Sequence, residues 1–134
     1  MRPIIVASLV LATALPTAAH AQWKEVGKTA AGNPISIDLK TIKTKDSITT
    51  ARVQVKFTTP VQTPQGLWRL SRHDAMFNCA RKTVAAKSST YYSDLAARKV
   101  VKKDVIAIPG FGPAIGGSMT QVALDYVCAN NKKK

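Results

Sequence analysis

The chain has 134 residues, 46% of them hydrophobic, and carries 20 Lys and Arg against 7 Asp and Glu, a formal net charge of +13 at pH 7. That length suits one small domain and leaves little room for a second. Such a surface selects anions as a class, but charge alone does not choose between lipid headgroups, acidic polysaccharide, nucleic acid and acidic proteins.

The first element is a leader. Arg2 gives a positive start, Ile4 to Leu15 is an apolar run, Pro16 breaks it, and Ala19 and Ala21 flank His20 as small residues. This pattern predicts a signal peptide over residues 1–21, with cleavage after Ala21 and a domain over residues 22–134. The run is shorter than the roughly 20 residues that span a bilayer. No cysteine stands at the cleavage boundary, so nothing there supports a lipid anchor. The periplasm or the exterior is the expected compartment, and export argues against nucleic acid as a partner.

Gln22 to Thr29 reads as a first strand, and Ala30 to Pro34 as a turn. Ile35 to Leu39 follows as a strand with Ile35, Ile37 and Leu39 on one face. Lys40 to Ser47 reads as an irregular connection with a turn near Lys45 and Asp46. Thr49 to Thr59 is the clearest strand: Ala51, Val53, Val55 and Phe57 point inward, and Arg52, Gln54 and Lys56 form a basic outer face. Pro60 to Gly66 is expected to end it as a long hairpin loop.

Leu67 to Ser93 should hold two strands, with Trp68, Leu70 and Arg72 on one face and a bulge or turn near His73 and Asp74. A further strand is expected near Val100 to Ile106, with a helix over Leu95 to Lys103 as the alternative. Gly110 to Gly117 is a loop without the Lys-Ser/Thr of a phosphate-binding loop. The last element is a helix with a capping box from Ser118 and Gln121. Its apolar stripe runs through Met119, Val122, Ala123, Tyr126 and Val127, and Lys132, Lys133 and Lys134 follow its end. One striped helix must cover the inward side of the strands. The fold class is therefore α+β, a single antiparallel β-sheet with a C-terminal α-helix packed on one face.

Several stretches resemble the surface-adhesin protein E family. They are Trp23 to Gly27 (WKEVG), Ile35 to Ile42 (ISIDLKTI), the strand Arg52 to Phe57, Phe77 to Val84 (FNCARKTV), Ser89 to Ser93 (STYYS), Ile108 to Pro113 (IPGFGP) and Asp125 to Cys128 (DYVC). The resemblance implies a small exported protein with an antiparallel sheet and a C-terminal helix, and adhesion to host matrix or serum proteins as its activity.

Cys79 and Cys128 are the only cysteines, and export puts them where disulfides persist. One disulfide between them is expected, and the family resemblance points the same way. With His73 they could supply three metal ligands on paper, or a thiol and its base, but they lack a local Cys-x-x-Cys pair and an orienting third group. His73 reads more simply as a solvated turn or strand residue. No two of the seven carboxylates are close enough in sequence to mark an acid and base pair. The expected protein is therefore not an enzyme and needs no cofactor.

The leading function is an envelope binding or adhesin-like module. A periplasmic structural or stress-related protein is the alternative, and a small hydrolase the third. The candidate partner-binding residues are Arg52, Lys56, Arg69, Tyr91, Tyr92, Lys102 and Lys103. An acidic macromolecule, an extracellular matrix protein or an anionic membrane surface would suit them, and the oligomeric state, a dimer included, is open.

Overall fold

The structure, a computed structural model, describes residues 21–131. The expected signal peptide, apart from Ala21, and the Lys132 to Lys134 tail lie outside the described residues. Six strands form one antiparallel meander: β1 (Trp23–Lys28), β2 (Pro34–Lys45), β3 (Ile48–Thr63), β4 (Gly66–Asn78), β5 (Thr83–Tyr92) and β6 (Val100–Val105), neighbours in space in the order of the chain. A two-residue strand, β7 (Gly112–Pro113), adds to β5, and the helix α1 (Met119–Asn131) ends the fold. The α+β architecture is the expected one.

One sheet face packs against the helix. Ile35 and Ile37 of β2, Ala51, Val53 and Val55 of β3, and Ala75 and Phe77 of β4 meet Ala123, Leu124 and Val127 of α1 in one buried cluster. Each fully buried large side chain there contributes about 1.5–3 kcal/mol relative to exposure. Cys79 and Cys128 form the disulfide that joins the end of β4 to the helix.

The elements differ from the sequence reading where the ladder is irregular. Lys40 to Lys45 is not a loose connection but the second half of β2: Lys40 to Ile42 lie within a register shift between Asp38 and Lys43, and Lys43 to Lys45 pair with β3 beyond it. The turn itself falls at Asp46 and Ser47, both with positive φ, as a tight two-residue hairpin requires. Likewise, β3 continues through Pro60 to Thr63. Pro60 sits in a second register shift, between Lys56 and Val61, where its missing N–H costs no ladder bond. Segment Leu95 to Lys103 contains no helix: its last four residues begin β6. The capping box is absent too. Gln121 reaches forward to Asp125 (2.7 Å) and Ser118 Oγ donates to the Ile115 carbonyl (2.5 Å).

Candidate binding face

The sheet face opposite the helix is built by strand register. Trp23, Asp38, Arg52, Asp74 and Ser88 lie in one row across β1 to β5. Ser36, Gln54, Arg72, Thr90 and Lys103 form the next row, across β2 to β6. Lys56, Leu70 and Tyr92 form a third. Among the described residues, no second helix or sheet layer covers this face.

Arg52 is fixed within it. Its Nε donates to Asp74 Oδ1 at 2.9 Å, and Ser88 Oγ donates to the other carboxylate oxygen at 3.0 Å. That hydrogen bond, reinforced by the Asp74 charge and opposed by partial burial, raises the Arg52 pKa. Burial alone would raise the Asp74 pKa. The hydrogen bonds from Arg52 and Ser88, with the charges of Arg52 and Lys87, outweigh it and hold the carboxyl below its usual range.

Arg72 is held differently. Its Nε donates to Gln54 Oε1 at 2.9 Å. Its guanidinium lies 4.9 Å from the Trp23 ring centroid and 5.8 Å from that of Tyr92, within cation–π range of both. Trp23 belongs to β1 and Arg72 to β4, so the two side chains lean toward each other over the strands between. Gln54 stays on the outer face, as alternation places it, and is only 6% exposed there. Arg52, Arg72, Asp74, Ser88, Thr90, Tyr92 and Lys103 line a recess of about 200 Å³ there.

Of the residues singled out from sequence, Arg52, Tyr92 and Lys103 therefore converge on one recess. Lys56 is exposed in the neighbouring row, and Arg69 is exposed on β4. Lys102 instead faces Asp104, with Nζ 3.3 Å from its carboxylate. Tyr91 stacks on Trp68, with ring centroids 4.0 Å apart, and meets His73 edge-on. Trp68 thus joins Tyr91 and Phe57 rather than sharing the surroundings of Arg72. Arg72, Thr90 and Trp23 were not among the sequence candidates. Alternation from Leu70 through Arg72 to Asp74 is the signal that places Arg72 outward.

The expectation of a solvated His73 is overturned. Its side chain is buried, and its Nδ1 and Nε2 lie 2.7 Å from Ser89 Oγ and 2.8 Å from Ser71 Oγ. Burial lowers its pKa to about 4, against a smaller opposing pull from Asp74. The disulfide ties up both sulfurs, so neither is available as a thiolate nucleophile or ligand. Among the described residues no group of His, Cys, Asp and Glu could hold a metal ion. Beside the disulfide, Lys82, Pro113, Gln121, Leu124 and Asp125 line a cleft of about 330 Å³.

The family described as surface-adhesin protein E matches residues 23–129. No curated protein sequence matches the chain. Among solved structures, crystal form II of Haemophilus influenzae protein E is similar with a TM-score of 0.59 and 15% identity, over 88% of this chain and 95% of that one. Protein E from non-typeable Haemophilus influenzae is similar with a TM-score of 0.55 and 15% identity, over 86% of this chain and 80% of that one. At these identities the structural likeness establishes the fold.

Proposed function

This chain belongs to the surface-adhesin protein E family, and on that premise we propose that it is an exported, non-enzymatic binding protein of the bacterial envelope that engages an acidic macromolecule through the open face of its sheet. The observation that carries the reading is the arrangement of Arg52, Lys56, Arg72 and Lys103 on one uncovered face, opposite the face that packs on the helix. Strand alternation keeps these charges out of the core and leaves them available to a partner. Export belongs to the same reading, with cleavage after Ala21. N-terminal sequencing of the exported protein is expected to begin at Gln22, and a chain beginning at Met1 would defeat it.

Binding is expected to weaken with salt, because screening shortens from about 10 Å at 0.1 M to about 3 Å at 1 M ionic strength. Surface plasmon resonance of the processed protein on an immobilised polyanion, at low and high salt, tests this. Replacing Arg52 and Lys56 together with Gln is expected to slow association and leave the fold intact. A variant lacking Lys132 to Lys134 separates the tail from the sheet. Salt-independent binding, unchanged in both variants, would remove the electrostatic mechanism.

A second reading, contact with an anionic membrane surface, draws on a different feature. Val105, Ile106, Ile108, Phe111 and Ile115 are exposed at the end of β6 and in the loop that follows, close in sequence to Lys102 and Lys103. Apolar residues beside lysines suit a lipid interface. Sedimentation with anionic vesicles, compared with zwitterionic ones, distinguishes it: loss of vesicle binding in Ile108→Asn but not in Arg52→Gln would favour lipid.

A further inference from the structure

Among the described residues, Arg52 has a carboxylate partner, whereas Arg72 and Lys103 have none. Among the described residues the ion pairs are Arg52 with Asp74 and Lys102 with Asp104. Arg72 spends its Nε on Gln54, which leaves the terminal guanidinium nitrogens for something else. Trp23 and Tyr92 meanwhile hold the guanidinium in place. Lys103 is exposed in the same register row, with Thr90 between the two. Neighbouring strands lie about 4.8 Å apart, so the backbones of Arg72 and Lys103 stand about 10 Å apart, a span two long side chains close onto a single group.

We propose that the Arg72–Thr90–Lys103 row seats one sulfate or carboxylate group of an acidic glycan, with the rest of that sugar in the recess beside Tyr92. The proposal rests on the binding function above and names the ligand class for the same face. Three features point to this class. A guanidinium fork matches an oxyanion in two parallel hydrogen bonds, and here it is oriented before the ligand arrives, which lowers the cost of binding. The Thr90 hydroxyl and the Tyr92 ring offer a sugar a hydrogen-bonding group and an apolar edge. A recess of about 200 Å³ has room for one charged sugar residue but not for a folded surface. The exposed apolar residues that a lipid surface would engage lie in the segment after Asp104, outside the lining of this recess.

The test is an NMR titration of the processed, isotope-labelled protein with a sulfated, heparin-type hexasaccharide. Inorganic sulfate, a neutral hexasaccharide and phosphatidylglycerol vesicles are run in parallel. The Arg72 Nε–Hε signal and the amides of Thr90 and Lys103 are expected to shift saturably with the sulfated sugar and not with the neutral one. Arg72→Lys keeps the charge but loses the fork, and is expected to weaken binding about tenfold or more. Lys103→Gln, on an exposed edge strand, is expected to weaken it similarly. Should Arg72→Lys fail to fold, Lys103→Gln and Thr90→Val decide the matter.

Sulfated sugar bound with equal affinity in these variants, and shifting Lys56 or Arg69 instead, overturns this seat and leaves the broader function standing. Binding of no polyanion at all overturns both. Inorganic sulfate binding as tightly as the hexasaccharide, or vesicles alone requiring Arg72 and Lys103, overturns the glycan assignment.

Discussion

His73 couples the fold to pH chiefly through burial, against a smaller opposing pull from Asp74. Its ring sits between two serine hydroxyls on the helix side of the sheet, while Asp74 points to the other side and is already committed to Arg52. The folded protein keeps the ring neutral down to about pH 4, whereas an unfolded chain protonates it near pH 6.5. Above pH 6.5 both states are neutral and the residue contributes no pH dependence. As pH falls from 6.5 to 4 the unfolded state takes up a proton that the folded state refuses, so stability falls, by about 3 kcal/mol in all. Asp74 acts lower: its stabilising contribution is lost as pH falls below the usual carboxylate range. Urea denaturation between pH 7 and pH 4 is expected to show a steeper loss for the wild type than for His73→Gln. Parallel curves would rule this role out. At the same scale, the sequence names Arg52, Tyr92 and Lys103 through charge and aromaticity. Arg72 is harder to see, because its importance comes from what lies over it and beside it. Trp23 is distant in the chain and three strands away in the sheet, a closeness that no local pattern encodes.

Contact between β1 and the helix turns on one position. A methyl group at Gly27 would stand 2.8 Å from Val122 Cγ1, closer than carbon atoms tolerate, at a register shift between Glu25 and Gly27. Val122 has a β-branched side chain, stiff about χ1 in a helix, so it has little freedom to turn away. Gly27→Ala is therefore expected to cost about 1–3 kcal/mol through overpacking. Combined with Val122→Ala it should cost less than the sum of the two single changes, because the second substitution makes the space that the first requires. Strict additivity in a double-mutant cycle would show that the helix does not press on β1 here. The same ladder irregularities explain which elements the sequence makes readable. Thr49 to Lys56 keeps an unbroken period of two, because the shift opposite Thr50 and Arg52 puts its extra residues on β2 and the next shift in β3 begins only after Lys56. The shifts after Asp38 in β2 and after Lys56 in β3 break the alternation of those strands, so the continuation of β2 looks like a connection and that of β3, with Pro60 inside it, like a loop. A bulge inserts residues without ending a strand, and a one-residue change of phase is enough to hide it.

At the scale of the whole molecule, one covalent link joins the two layers. The first six strands form a meander in which each pairs with the next, so their contacts grow outward from neighbouring segments. The helix comes last in the chain and covers strands that were completed long before it. Cys79 and Cys128, separated by 49 positions, close that long connection. Restricting a loop of this length in the unfolded chain is worth about 4 kcal/mol on an entropic account. That is a large share of the roughly 5–15 kcal/mol by which small domains are stable. Replacing both cysteines with serine avoids leaving one thiol free to pair between molecules. The double variant is expected to melt more than about 10 °C below the wild type, since each kcal/mol shifts the midpoint of a 60–100-residue domain by about 4–8 °C. Hydrogen exchange should quicken first in the last turns of α1, while β3 and β4 stay protected. Polyanion binding, measured well below the midpoint, should persist, because Cys128 lies on the helix and the Arg72 recess opens on the other side of the sheet. Loss of binding in a variant that is still folded would mean that the two faces are coupled through the sheet. An unchanged midpoint would mean that the buried contacts of Ala123, Leu124 and Val127 hold the helix down without the disulfide.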